Sequence, residues 1–309
     1  SSWSRQAQLV GQFSEAVDTF GSSLALEGDT LVIGAEREGS AAAGVDGDQT
    51  NNDAPTSGAA YVFVRSGITW TQQAYLKATN PGSGDNFGSA VAISGDTVVV
   101  GAPLEDSDGM GVGTNGLNDN TMTSGAAYVF VRTAGVWSPQ ALLKASNTGA
   151  SDRFGSSVAI SGETLVVGAQ GESSGASGVG GDQLNDSATG SGAAYVFVRV
   201  TNTWSQQAYI KASNTGMSDT FGGAVTLSGD VLVVAASGED SNARNVNGLE
   251  SDNSASAGGA VYLFRRTGSV WTQVAYIKAS NTGGGDYFGA SLALSGNTLV
   301  VGAHLEDGG

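Results

Sequence analysis

The sequence contains no cysteine, only four prolines and a single histidine, His304. Without cysteine there is no disulfide staple and no thiolate metal site, a pattern shared by many bacterial secreted and many cytosolic proteins. A Ser-His-acid arrangement has little to draw on, since the one histidine lies near the end of the chain. Cations are scarce as well: Lys and Arg total 13 against 29 Asp and Glu, leaving a net charge of −16. Such a surface repels nucleic acid and anionic lipid and favours cations or basic partners. Apolar runs are short, as at Val98-Val99-Val100, so membrane insertion is not expected. The chain opens Ser1-Ser2-Trp3 with neither a starting Met nor a signal peptide, which reads as a processed or excised piece of something longer.

What the chain does have is glycine, 48 residues, and 40% hydrophobic residues, a combination that suits many short strands joined by tight turns and argues against disorder. The hydrophobic residues recur in register. Trp3, Trp70, Trp137, Trp204 and Trp271 are spaced by 67, and so are Phe20-Gly21, Phe87-Gly88, Phe154-Gly155, Phe221-Gly222 and Phe288-Gly289. The segment from Ser57 to Arg65 returns verbatim at 124–132 and 191–199. We therefore divide the chain into units 1–67, 68–134, 135–201 and 202–268 and a partial unit 269–309, all within one domain.

Each complete unit holds four strand-like runs: one after the Trp, one after Phe-Gly, Thr97–Ala102 and its counterparts, and Ala59–Arg65 and its counterparts. β-Branched and aromatic content, short length and Gly-rich punctuation identify them as strands. Four antiparallel strands per unit, about five times over, predict an all-β fold, a β-propeller of four-stranded antiparallel blades. Counting gives 19 strand-like runs, one short of five complete blades. The preferred closure pairs the Trp3 strand with those following Phe288 and containing Leu299; the alternative is an excerpt of a larger propeller.

Phe87-Gly88, a short strand and then Gly101-Ala102-Pro103 resemble the FG-GAP repeat of integrin α-chain propellers, especially the type carried by bacterial surface and secreted proteins. Only this copy has the full Gly-Ala-Pro; the others read Gly34-Ala35-Glu36, Gly168-Ala169-Gln170, Ala235-Ala236-Ser237 and Gly302-Ala303-His304. The resemblance implies a ring that has seven blades in integrins, calcium sites in some blades, and roles in adhesion or ligand binding outside the cell or at its surface. Integrin-type calcium ligands do not carry over. The link after the Phe-Gly strand is here the short turn Ser94-Gly95-Asp96, too small to wrap a cation that needs six to eight oxygens.

Oxygen-rich residues gather instead in a loop of about 21 residues, such as Glu36–Thr56 and Pro103–Thr123, a length typical of functional loops. Asp46, Asp48, Asp53, Glu105, Asp106, Asp108, Asp119, Asp182, Asp186, Asp240 and Asp252 are the candidate Ca²⁺ ligands, as hard oxygen donors. The competing reading is that Asp, Asn, Ser and Gly make turns by bonding to nearby backbone. The column Glu38, Glu105, Glu172, Glu239 and Glu306 divides evenly between metal ligation and bracing the loop. Val45, Val112, Val179 and Val246 suggest an apolar anchor for it. Asp18, Asp85, Asp152, Asp219 and Asp286, two residues before each Phe, read as structural caps.

Strand parity puts the long loops and these caps on one face and the tight hairpins on the other. The Trp column and Tyr75, Tyr209 and Tyr276 read as blade-to-blade contacts. Lys77, Lys144, Lys211 and Lys278 read as pairing with acids or solvating an outer strand, such exposed pairs contributing roughly 0–1 kcal/mol each. Chemistry would require groups that break the repeat and converge on one point; none does, so no enzyme is expected. The functional expectation is a non-catalytic binding or adhesion module that takes a protein or glycan ligand. A self-associating surface or filament subunit is the alternative, and a carbohydrate-active enzyme a weaker third.

Overall fold

The computed structural model describes residues 4–15, 17–114 and 116–308. Among them the chain forms 18 strands and no helix. The first sheet is a meander of β1 (Leu24–Glu27), β2 (Thr30–Ala35), β3 (Ala59–Ser66) and β4 (Thr69–Leu76). The second repeats it with β5 (Ala90–Ser94), β6 (Thr97–Ala102), β7 (Ala126–Thr133) and β8 (Val136–Leu143). The third contains β9 (Phe154–Ser161), β10 (Thr164–Ala169), β11 (Ala193–Val200) and β12 (Thr203–Ile210). The fourth contains β13 (Ala224–Ser228), β14 (Val231–Ala236), β15 (Ala260–Thr267) and β16 (Val270–Ile277). A two-stranded sheet, β17 (Ser291–Ser295) and β18 (Thr298–Gly302), ends the series. All pairings are antiparallel, and the all-β propeller-blade reading stands.

The sheets are out of step with the sequence units by one strand. The Trp run that opens a unit forms the last strand of the preceding blade, because Gly67-Ile68 joins β3 and β4 by a two-residue turn. A connection that short places β4 antiparallel beside β3. Trp3, and with it the proposed closing strand, lies partly outside the described residues. Residues 4–10 form no strand, and β17 and β18 pair only with each other among the described strands. The first strands β1, β5, β9, β13 and β17 pack in order, each against the next.

Blades bury their faces on one another. Val32, Val62 and Leu76 of the first pack with Phe87, Val98, Val100 and Tyr128 of the second, and equivalent clusters join later blades. Phe87 meets Tyr128 edge-on at 5.3 Å, a geometry repeated by Phe154–Tyr195 and Phe221–Tyr262. The glycine pairs of the repeat motif sit at these contacts. A Cβ on Gly101 would lie 2.0 Å from the Gly155 carbonyl oxygen of the next blade. Gly155 itself has φ +94°, a region that favours glycine. Both glycines are thus required by the close approach of consecutive blades.

Candidate functional site

The long loops and the turns before each Phe-Gly do share one face. The backbone N–H groups of Arg37, Leu104 and Gly171 donate to the carbonyls of Asp18, Asp85 and Asp152. Each Asp caps its own turn: Asp85, Asp152, Asp219 and Asp286 accept the N–H three residues earlier, from Gly82, Gly149, Gly216 and Gly283, at 2.7–2.8 Å. The structural-cap reading holds. Burial pushes the carboxyls of Asp85, Asp152 and Asp219 up to about 7, against the opposing effect of those N–H donors.

The loop's root is a buried polar cluster. Lys77, Lys144, Lys211 and Lys278 are 0–3% exposed and donate to Glu38, Glu105, Glu172 and Glu239 at 2.6–2.8 Å. This corrects the expectation of exposed lysines: all four in the chain are interior. It also assigns the role of these four glutamates, including Glu105, which braces the loop. Ser57, Ser124 and Ser191 accept from three of the same ammonium groups at 2.7 Å. Asn80, Asn147 and Asn214 donate across the blade boundary to the other carboxylate oxygen of Glu105, Glu172 and Glu239. Lysine burial of this kind requires a charged partner. A lysine and an asparagine at fixed spacing in consecutive repeats were the signal available in the sequence; their convergence on one Glu was not.

The remaining candidate ligands act as turn formers or stand exposed. Asp46 accepts the Tyr75 N–H at 2.8 Å, and Asp48 accepts the N–H and hydroxyl of Thr50. Asp106 and Asp240 accept the N–H groups of Thr123 and Ala257, seventeen residues along each loop. Asp108 accepts from the side chains of Asn118 and Asn120, which hold its carboxyl below the usual range. Asp182 and Asp252 accept the N–H two residues ahead. Asp53, Asp119 and Asp186 are exposed. Among the described residues no group of three or more acidic or histidine side chains is placed to hold a metal ion. Asp46, Asp48, Asp106, Asp108, Asp182, Asp240 and Asp252 thus carry hydrogen bonds within their own loop or blade.

The valine column anchors the loop differently from expectation. Val45, Val112, Val179 and Val246 each form a single antiparallel bridge to the last strand of their blade. Three of them remain 37–58% exposed, so backbone hydrogen bonds such as Lys77 N–H to Gly44 carbonyl do the anchoring. In the Trp column, Trp137, Trp204 and Trp271 are buried between blades at 3% exposed, whereas Trp70 is half-buried and Trp3 lies outside the described residues.

Between the capped turn and the long loop lies a cleft. In the first blade it measures about 320 Å³ and is lined by Glu15, Asp18, Arg37, Asn52 and Pro55. In the third, about 360 Å³, the equivalent positions are Gly149, Asp152, Gly171, Asp186 and Thr189, and only some of these line it, with Met110 and Leu184 adding an apolar wall. One backbone frame thus carries different side chains.

A family model described as FG-GAP repeat matches residues 3–63, 70–130, 137–197, 204–264 and 271–309. The chain belongs to the FG-GAP repeat family. No curated protein matches it. FG-GAP repeats make propeller-type modules for binding or adhesion, are typically non-catalytic, and are commonly extracellular or surface-associated. The motif phenylalanine and glycines lie at the blade boundaries described above, and the phenylalanine also packs edge-on against a tyrosine of its own blade, so this chain's family signature is a packing signature.

Proposed function

We propose that this chain is an extracellular adhesion module that binds a protein or glycan through its long-loop face. The observation that supports it is the repeated cleft, in which a shared frame displays Glu15, Arg37 and Asn52 in one blade and Asp152, Asp186 and Thr189 in another. Constant scaffolding with variable loop chemistry is how rigid folds present recognition surfaces. Side chains rich in carboxylate and amide groups beside an apolar wall suit hydroxyl-rich or basic ligands. The loop carboxylates act in this reading as turn formers, so binding proceeds without calcium.

The test is binding of the chain to a panel of defined polysaccharides and extracellular matrix proteins. Asp186→Lys on the long-loop face should weaken a hit at least tenfold. Ile68→Lys, in an exposed turn on the opposite face, should leave it unchanged. No binder tighter than millimolar, or equal loss in both variants, would sink the reading.

A further inference from the structure

Three buried clusters bring together an amine, a carboxylate and a side-chain amide. Lys144 Nζ donates to Glu105 Oε2 at 2.6 Å, and Asn80 Nδ2 donates to Oε1 of the same carboxylate at 3.1 Å. Tyr128 donates its hydroxyl to Asn80 Oδ1 at 2.7 Å. Lys211, Glu172, Asn147 and Tyr195 repeat this set, with distances of 2.7, 3.0 and 2.6 Å. So do Lys278, Glu239, Asn214 and Tyr262, at 2.6, 2.8 and 2.6 Å. The lysines, glutamates and tyrosines are all buried.

These groups are the parts of an acyl transfer: a nucleophile on its base, a leaving group on that base's second oxygen, and a donor at the future oxyanion. We infer that Lys144 and Asn80, Lys211 and Asn147, and Lys278 and Asn214 form intramolecular isopeptide bonds, with Glu105, Glu172 and Glu239 as the proton shuttles. Proton transfer within the ion pair yields a neutral amine and a neutral acid. Nζ then attacks Cγ of the asparagine, the tyrosine hydroxyl stabilises the charge on Oδ1, and the carboxyl hands a proton to Nδ2. The Cγ–Nδ2 bond breaks and one ammonia leaves while Nζ returns its surplus proton to the carboxylate, so that a neutral Nζ–Cγ amide and a neutral carboxyl remain; no electrons are exchanged with any other reagent. Desolvation lowers the affinity of all three ammonium groups for their protons, which favours the nucleophilic form.

Position gives the bond a purpose. Asn80 follows β4, the last strand of the first blade, whereas Lys144 follows β8, the last of the second. The bond staples consecutive blades covalently in a chain that has no cysteine. The first blade supplies an internal control. Lys77 pairs with Glu38 in the same way, but Phe13 stands where the other repeats have asparagine, so Lys77 stays free.

Intact mass spectrometry of the full chain, followed by amine labelling in denaturant, tests the inference. The expected mass is three ammonia molecules below that of the sequence. Of the chain's four lysines and its α-amine, only Lys77 and the α-amine should take the label. Asn147→Ala should restore one ammonia equivalent and free Lys211 alone. A mass equal to the unmodified sequence would overturn the proposal, as would a deficit accompanied by labelling of all four lysines.

Discussion

A buried lysine and a buried carboxyl respond to perturbation in different ways, and the chain offers both. Removing one partner of a buried ion pair leaves the other charge unsolvated, at a cost of about 3–5 kcal/mol. Lys77→Ala, at the pair whose repeat has Phe13 in place of the asparagine, should lower the urea-unfolding free energy by that order, whereas Lys77→Met with Glu38→Gln should cost clearly less. Equal losses would mean that the pair matters only for its packing. The capping aspartates make a pH prediction. Burial raises Asp85, Asp152 and Asp219 to about 7 from an ordinary 3.8. Between those values the native state holds protons that the unfolded chain has lost, so stability falls as pH rises. The urea midpoint should be higher at pH 5 than at pH 8, and Asp→Asn at all three positions should flatten the profile. A midpoint that rises with pH would contradict it.

Blade contacts depend on one irregularity in every outer strand. The register of β3 against β4 shifts between Val62 and Phe63, which leaves Gln73 as an extra residue. A bulge re-aims a side chain, and here it turns Gln73 toward the next blade, where Trp137 Nε1 and Arg132 donate to it at 2.8 and 3.1 Å. Gln140 and Gln207 repeat the clasp with Trp204 and Trp271. The fourth bulge carries Val274 instead, a departure that nothing in the structure explains. Gln140→Ala leaves the buried indole N–H of Trp204 unpaired, which costs about 1–3 kcal/mol and should show as a lower melting temperature. Gly101→Ala forces a Cβ against the Gly155 carbonyl and should cost about 1–3 kcal/mol by overpacking. A neutral result there would mean that blades slide apart readily.

At the scale of the whole molecule the net charge of −16 invites a cation, whereas most of the loop carboxylates already accept hydrogen bonds from backbone or side-chain groups of the protein. Adding calcium and then EDTA should leave the melting temperature unchanged within about a degree. A rise of several degrees would restore the loops as a metal site, with Asp106 and Asp108 the first residues to mutate. The series of blades is also uneven in burial. Val300 is 62% exposed on the last sheet, while its equivalents Val32, Val99, Val166 and Val233 are fully buried, because those four each have a following blade against them.

Period, strand order, turn positions and the face that carries the long loops follow from the sequence alone, because strand alternation and turn chemistry are local and repetition multiplies the signal. The Asp caps were legible for the same reason: acceptor and donor lie three residues apart. What only the tertiary structure decided concerns partners far apart in sequence. Lys144 meets Glu105 across 39 residues and Asn80 meets Glu105 across 25. No local rule distinguishes a lysine at the end of an outer strand that faces solvent from one closed over by a loop. Burial of that amine depends on how loop and neighbouring blade pack, and packing alone turned a surface charge into the interior cluster that joins one blade to the next.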